Sequence, residues 1–266
     1  QILHMSRYFI SLIVLLTTVT VLGQNKPIDL NPKDTVEHKQ YYGLRLGIDL
    51  SRIITGSLDD NYTGFEIVAD YRLTQNLYLA AELGSEEKTR QEDLYNFTTS
   101  GNYIKIGVNK NNYANWYGER NLIYIGGRLA FSTFDNTLNN YQYFDTNRYW
   151  NPDDFANGSD TPENFSGLSA TWLEGVFGTK VELLHNVYVG ASVRLGLILS
   201  QKEDERFPNL WVPGFNKVTW DSNFGVGYNF SISYFLPLYK KKNKAKKKVE
   251  SSTEPQGPPP RQNEGL

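Results

Sequence analysis

The sequence contains no cysteine, a single methionine and three histidines. Without cysteine the chain cannot form a disulfide framework, a thiolate metal site, a cysteine nucleophile or a lipoprotein anchor. Beyond residues 8–22, no segment approaches the roughly 20 apolar residues of a transmembrane helix. The formal net charge of -2 gives no electrostatic reason to expect nucleic acid as a partner.

Chemistry-bearing motifs are also scarce. His4 lies in or before the leader, His38 precedes the first strand, and His185 falls in a short turn. None has a serine or acidic partner at a recognisable spacing, and no phosphate loop, histidine–glutamate metal pair or nucleophile elbow occurs. We therefore expect no enzyme, no cofactor and no bound metal.

The first part of the chain has the pattern of an export signal. Met5 is followed by a basic residue, the apolar run 8–22 and Gly23. This order predicts a signal peptide over residues 1–23, cleaved after Gly23, with residues 1–4 upstream of the true start. A transmembrane anchor is the alternative, although the run is short for a span. The polar residues 24–41 are interpreted as a periplasmic lead-in.

Aromatic residues reach 14%, with 18 tyrosines and 22 glycines, a composition that suits strands rather than helices. From Gly43 apolar and polar residues alternate with a period of 2, as in a strand with one apolar and one polar face. The pattern returns along the chain and predicts about eight strands of about ten residues, enough for a tilted strand to span a bilayer. The predicted strands are 43–51, 65–73, 77–84, 103–108, 123–133, 172–183, 187–197 and 223–234.

Connections between these strands alternate in length. Short turns are predicted at 74–76 and 184–186, while 109–121 fits this short-turn side less well. Short turns at one end and long loops at the other are typical of outer-membrane barrels. The predicted fold is thus all-β, an antiparallel up-and-down transmembrane barrel over residues 42–239. The long loops are 55–62, 85–100, 135–169 and 201–221.

The polar faces carry charges of nearly balanced sign together with most of the glycines. In a membrane barrel these charges point into a narrow, filled lumen, where ion pairing compensates their removal from water. The alternative is a periplasmic or lipid-associated barrel whose apolar face points inward and binds a small apolar ligand. The charges concerned are Arg45, Asp49, Glu66, Asp70, Arg72, Glu82, Lys105, Arg128, Glu174, Lys180, Glu182 and Arg194.

The last predicted strand and the segment that follows it each have a recognisable composition. Residues 223–230 place a polar residue, glycines and two aromatics at offsets similar to the C-terminal signal of outer-membrane barrels. Residues 240–266 begin with a lysine run and continue into a proline-rich stretch, which predicts a disordered tail. This tail is either solvated and without function or attracted to anionic lipid or cell-wall polymer.

The loop 135–169 combines aromatic and acidic residues. Tyr149, Trp150, Asp153 and Asp154 are the candidate binding residues, with an extracellular glycan or protein as the partner. An ordinary surface loop is the alternative. No acid spacing matches a calcium loop.

Several stretches resemble an uncharacterised family of outer-membrane barrel proteins from Bacteroidota. They are 42–50, 64–73, 79–84, 213–217 and 223–227, within a resemblance that covers about residues 40–240. The resemblance implies an outer-membrane location and assigns no functional residue. We accordingly expect a monomeric barrel in contact with outer-membrane lipid, with a structural or surface-interaction role.

Overall fold

The computed structural model describes residues 39–113, 120–142, 158–218 and 222–242. The predicted signal peptide, the lead-in up to residue 38 and the tail from residue 243 lie outside this part. The described chain forms β1 (Lys39–Asp49), α1 (Leu50–Leu58), β2 (Tyr62–Arg72), β3 (Leu77–Gln91), β4 (Tyr95–Asn111), β5 (Leu122–Tyr141), β6 (Glu163–Leu184), β7 (Val187–Lys202), β8 (Trp211–Val212), β9 (Asn216–Lys217) and β10 (Phe224–Lys242).

Eight of these strands close into a barrel in the order β1-β10-β7-β6-β5-β4-β3-β2. Each strand pairs antiparallel with both neighbours, and β1 and β10 close the ring. Only β8 and β9 stand apart, as a two-stranded hairpin. Closure leaves no free sheet edge along the paired length. The predicted eight-stranded antiparallel barrel is confirmed.

A band of apolar side chains covers the outside of the barrel, and we call it the apolar belt. Phe65, Val189 and Phe230 are exposed within it, while Leu44 is half-buried. A one-residue slip of register would turn such a face inward, so the pairing fixes the belt. Its exposed members include Leu46, Phe65, Ile67, Leu79, Leu83, Ile104, Ile106, Val108, Ile123, Ile125, Leu129, Phe131, Leu173, Phe177, Val181, Val189, Val193, Leu195, Val226, Phe230, Ile232 and Leu236.

Beyond the belt, β3 to β6 continue as a polar extension, which comprises 85–91, 95–102, 133–141 and 163–171. The predicted loop 85–100 is wrong, because its ends are paired strand and only 92–94 connect them. Strand also occupies both ends of the predicted loop 135–169. The alternation continues here with its sense reversed: Phe97 and Phe134 point inward, while Ser85 and Ser100 face out.

The first long connection contains a helix that the sequence pattern did not predict. The strand predicted over 43–51 stops at Asp49, and α1 occupies the next nine residues. Asp49 caps the helix, because its carboxylate accepts the backbone N–H of Ser51 at 2.8 Å. No helix in the described part of the chain is long and apolar enough to cross a membrane.

At the opposite end two of the connections are short, as predicted, whereas the connection from β4 to β5 runs over 112–121, the segment that fitted the short-turn side less well. Residues 73–76 join β2 to β3, and 185–186 join β6 to β7 with Asn186 at a φ of 63°. Strand pairing extends three residues past each predicted barrel limit, to Lys39 and Lys242.

Candidate functional site

The middle of the lumen is filled by a network of ion pairs. Arg194 lies 3.7 Å from Glu66 and 3.6 Å from Glu174, and it also binds Glu82. Lys105 donates to Glu174 at 2.8 Å. These groups come from β2, β3, β4, β6 and β7, so one network ties five strands together.

A second cluster lies nearer the short turns. Asp70 accepts hydrogen bonds from Arg45 at 2.9 Å and from Lys180. The Arg45 guanidinium sits 4.5 Å from the centre of the Tyr188 ring and 5.8 Å from that of Phe235. Stacking and ion pairing together compensate the desolvation of this buried cation.

The predicted polar face therefore points inward. Of the twelve charged residues assigned to it, all are buried except Glu182, which is half-buried. The alternative barrel with an apolar interior is wrong, because the apolar residues of the strands form the exposed belt. The interior is lined by side chains in salt bridges, whereas a small apolar ligand would need apolar side chains around it.

The connection predicted as loop 201–221 sends a hairpin into the lumen. We call residues 211–217 the plug hairpin. Gly214 donates its N–H to Glu86 at 2.6 Å, and its carbonyl accepts from Lys105 at 2.8 Å. Phe215 packs edge-on against Trp172 with ring centres 5.8 Å apart. The plug hairpin therefore closes the end of the lumen that carries the long loops.

Glycines on the inner face make room for these large groups. A Cβ at Gly196 or Gly225 would lie 2.6 Å from the Phe215 ring. One at Gly84 would lie 2.3 Å from the Tyr103 ring, whose hydroxyl donates to Glu66 at 2.6 Å. The predicted crowded lumen with small residues beside large ones is confirmed.

We expect Gly84→Ala to destabilise the barrel by about 1–3 kcal/mol, because the methyl group collides with a ring fixed in the ion-pair network. Gly175→Ala is the matched control, since the nearest atom to its Cβ lies 4.0 Å away. Urea unfolding midpoints of the two variants measure the difference. Equal midpoints would show that the Tyr103 ring can move aside.

An aromatic cluster supports the polar extension above the plug hairpin. Phe207 packs against Phe97 and against Phe165, in each case with ring centres 5.6 Å apart, and Phe134 is buried in the same cluster. Phe207 comes from the connection after β7, so this connection covers the inner face of the extension. In the sequence, this cluster is indicated by the aromatic residues at inward positions between 95 and 138.

The four candidate binding residues, Tyr149, Trp150, Asp153 and Asp154, lie outside the described residues. The stem that carries them is described. Tyr141 and Ser159 exchange two backbone hydrogen bonds, of 3.1 and 3.0 Å, at the tip of the extension. The candidate loop thus starts at the end of the polar extension, away from the belt.

Among the described residues, no group of three or more His, Asp or Glu side chains could hold a metal ion. His185 is exposed in the turn between β6 and β7. The lumen carboxylates are held by arginine and lysine, which keeps them in structural ion pairs.

An ion pair between Lys88 and Asp59 joins the C-terminal end of α1 to the barrel. Lys88 of β3 donates to Asp59 at the C-cap of the helix, and this hydrogen bond lowers the pKa of Asp59 below the ordinary value of 3.8. A carboxyl group whose pKa is lowered by folding stabilises the folded state. This stabilisation is complete at a pH above the pKa of the unfolded chain, and it is lost as the pH falls through the pKa of the folded chain.

We expect the amide protection of α1 to fall in that acidic window while the protection of β5 stays unchanged. Hydrogen exchange measured by NMR, corrected for intrinsic rates, tests this. Asp59→Asn removes the titrating group, and its α1 protection should be low and independent of pH over the same range. A pH response that persists in Asp59→Asn would assign the effect to another group.

Fold and lumen define the class of protein as a closed eight-stranded antiparallel barrel with a charged, filled interior. The chain belongs to the family described as "Domain of unknown function (DUF6048)", which matches residues 5–241. No curated protein matches the chain significantly. One solved structure similar to it is the crystal structure of Ail, the attachment invasion locus protein of Yersinia pestis. The two share 11% identity and a TM-score of 0.38, over 75% of this chain and 99% of that one.

Proposed function

We propose that the chain is an outer-membrane protein that spans the membrane as a barrel, with a structural or surface-interaction role and no catalysis. The apolar belt carries this proposal. On β5 its outward residues run from Ile123 to Phe131. Nine residues at about 3.4 Å each, tilted by about 40°, span about 20–25 Å, close to the apolar band of about 25 Å in such barrels.

Both edges of the belt support a membrane. On the long-loop side the outward faces become polar at Ser85, Ser100 and Thr133. On the short-turn side tyrosines collect, and the hydroxyls of Tyr71 and Tyr239 lie 3.4 Å apart. Tyrosine rings favour the boundary between hydrocarbon and water. An apolar ring of this height around a water-soluble monomer would far exceed the patches that such proteins normally expose.

The interior supports a role without transport or chemistry. Ion pairs fill the middle of the lumen and the plug hairpin fills its long-loop end. An eight-stranded barrel of this kind has room for side chains and little else. The action is therefore proposed to lie outside, where the polar extension raises the loop with Tyr149 and Trp150 to meet a glycan or protein. The lysine-rich tail is proposed to meet anionic lipid or cell-wall polymer at the other end.

Cell fractionation tests the location. The full chain is expected in the outer-membrane fraction and should migrate faster on a gel without boiling, as a compact barrel in detergent does. Recovery in the soluble periplasm, with mobility independent of heating, would reject the membrane assignment.

Epitope insertion tests the orientation. A tag placed between residues 149 and 150 should be stained by antibody on intact cells. The same tag after residue 242 should be stained only after permeabilisation. The reverse pattern would place the long loops in the periplasm and reject the surface-interaction role.

A further inference from the structure

The end of the lumen opposite the plug hairpin contains a cavity of about 430 Å³, which we call the short-turn mouth. Its walls come from β1, the turn between β2 and β3, the start of β3, the end of β4 and the connection that follows β4. Several of its lining residues are exposed, so the cavity opens to water at this end of the barrel. The described residues that line it are Gln40, Arg72, Gln75, Asn76, Tyr78, Lys110, Asn111, Asn112, Tyr113 and Arg120.

The charged side chains that line the short-turn mouth are cations. They are Arg72, Lys110 and Arg120, and no Asp or Glu is among the described lining residues. Arg120 lies 3.6 Å from the Glu182 carboxylate, whereas Lys110 is exposed and has no ion pair within the described part of the chain. Lys241 of β10 is exposed at the same end of the barrel. A concave surface with charges of one sign concentrates their field and attracts anions from solution.

Arg72 differs from the other buried cations of the strands. Each of the others pairs with a carboxylate, and they are Arg45, Lys105, Arg128, Lys180 and Arg194. Arg72 is 7% exposed and has no carboxylate partner among the residues that the structure describes. Its guanidinium makes four hydrogen bonds of the five that it can donate, and all four go to neutral oxygens, those of Gln40, Tyr41, Thr74 and Gln75. A buried cation without a counter-charge is costly, and an anion bound in the mouth would compensate it.

Amide side chains in the mouth favour a ligand that both donates and accepts hydrogen bonds. Gln75, Asn76 and Asn112 are exposed, and their side chains make no hydrogen bond within the described residues. Each amide offers N–H donors and a carbonyl acceptor. A phosphate group chiefly accepts hydrogen bonds, whereas a peptide supplies N–H and C=O groups beside its carboxylates. The lining therefore favours an anionic peptide over a simple oxyanion.

Size and position limit the ligand further. Ligand pockets usually measure about 300–1,000 Å³, so the mouth admits a short peptide segment and excludes a folded domain. The mouth lies within the ring of strands, because Arg72 and Tyr78 are paired positions whose buried side chains point inward. Lipid headgroups would surround the outer face of the barrel, so a ligand of the mouth arrives from the aqueous side.

We propose that the short-turn mouth binds a short peptide with free carboxylates, which is the chemistry of the peptides in the bacterial cell wall. A carboxylate of the ligand pairs with Arg72 and Lys110, and the side chains of Gln75 and Asn112 hydrogen-bond its backbone. The site rests on the proposed function, because the orientation proposed there places the short turns in the periplasm, where the cell wall lies.

The test uses the full chain refolded in uncharged maltoside micelles, with heat-dependent gel mobility as the check on folding. The probe is the synthetic tripeptide alanyl-γ-D-glutamyl-diaminopimelate with a fluorophore on its amino terminus, and fluorescence anisotropy measures its binding. Saturable binding is expected, and it should weaken as the salt concentration rises, because salt screens the ion pairs at an open cavity.

Three variants locate the site. Arg72→Gln removes the buried cation and should weaken binding about tenfold. Because Arg72 also holds the turn between β2 and β3, Lys110→Gln is a second variant that leaves the turn intact, and it should weaken binding about threefold. Lys202→Gln is the matched control, since it removes an exposed lysine without an ion pair from the other end of the barrel and should bind as the unaltered chain does. Equal affinity in all three variants would reject the site.

Competing compounds decide what the mouth binds. The same tripeptide with its carboxylates converted to amides should bind at least about tenfold more weakly, and equal affinity would reject the role of the carboxylates. Inorganic phosphate and glycerophosphoglycerol should displace the probe only at much higher concentrations than the unlabelled tripeptide. Equal displacement by phosphate would make the mouth a site for a simple oxyanion, and equal displacement by glycerophosphoglycerol would make it a site for a lipid headgroup, so either result overturns the peptide.

Failure of this site and failure of the proposed function give different results. A folded barrel that binds no tripeptide rejects the site alone. Antibody staining of the tag after residue 242 on intact cells would place the short-turn mouth outside the cell. That result would reject the proposed orientation, and the cell-wall ligand with it, whatever binds in micelles.

Discussion

Replacing Ile106 with arginine is expected to destabilise the barrel in a lipid bilayer by about 2–4 kcal/mol. Ile106 is 51% exposed on β4 and lies at the centre of the outward run from Ile104 to Val108. In the proposed membrane position its guanidinium would have to enter hydrocarbon or distort the bilayer to reach water. Reversible urea unfolding in phospholipid vesicles, followed by tryptophan fluorescence, measures the change.

Ser100→Arg is the matched control for this substitution. Ser100 is exposed on the outward face of the same strand, in the polar extension, and pairs with Asp135 of β5. There the arginine remains in water, so a change below about 0.5 kcal/mol is expected. If both variants lost little stability in vesicles, the belt would not be in contact with lipid and the membrane assignment would fail.

The sequence predicts the part of the barrel that carries the belt well because one physical rule governs it. A strand with an apolar outer face and a filled, charged lumen must alternate strictly, and Ile104, Lys105 and Ile106 do so. The period separates the two faces of each strand, whereas the choice of the charged face as the inner one depended on the signal peptide and on the alternation of short and long connections. The near balance of the charges agreed with that choice, since a lumen tolerates charges only in balanced pairs.

The polar extension was missed because the rule changes at the edge of the belt. Past Phe131 the outward position becomes polar, and the inward positions become mixed, since Phe134 and Asn136 are both buried. Outward apolar residues therefore end where the belt ends, and a search for them ends there too. In the proposed membrane position this change marks the boundary between hydrocarbon and water, and it is visible in the sequence.

The helix and the plug hairpin depend on contacts that no local pattern contains. The segment Leu50–Leu58 follows an alternating strand without a proline or glycine to end it, and its cap at Asp49 suits a turn as well as a helix. Gly214 meets Glu86 and Lys105 across a large separation in sequence. Pro213 and Gly214 indicate a turn, with Gly214 at a φ of 82°, yet they do not indicate that the turn enters a barrel.

The ion-pair network leads to the largest expected loss of stability. Arg194→Met is expected to cost about 3–5 kcal/mol, because removing one partner leaves buried charge uncompensated. Three carboxylates, those of Glu66, Glu82 and Glu174, face this one guanidinium in the lumen. Equilibrium urea unfolding in micelles measures the loss without involving the bilayer.

Arg206→Met is the matched control, since Arg206 also pairs with a carboxylate, that of Glu163, but is 64% exposed. Water screens such a pair, and a loss below about 1 kcal/mol is expected. Adding Glu82→Gln to Arg194→Met should recover part of the loss, because it removes one of the carboxylates left without this guanidinium, although Arg128 also pairs with Glu82. If Arg194→Met and Arg206→Met lost equal stability, water would reach the middle of the lumen, and the filled interior that argues against a pore would have to be given up.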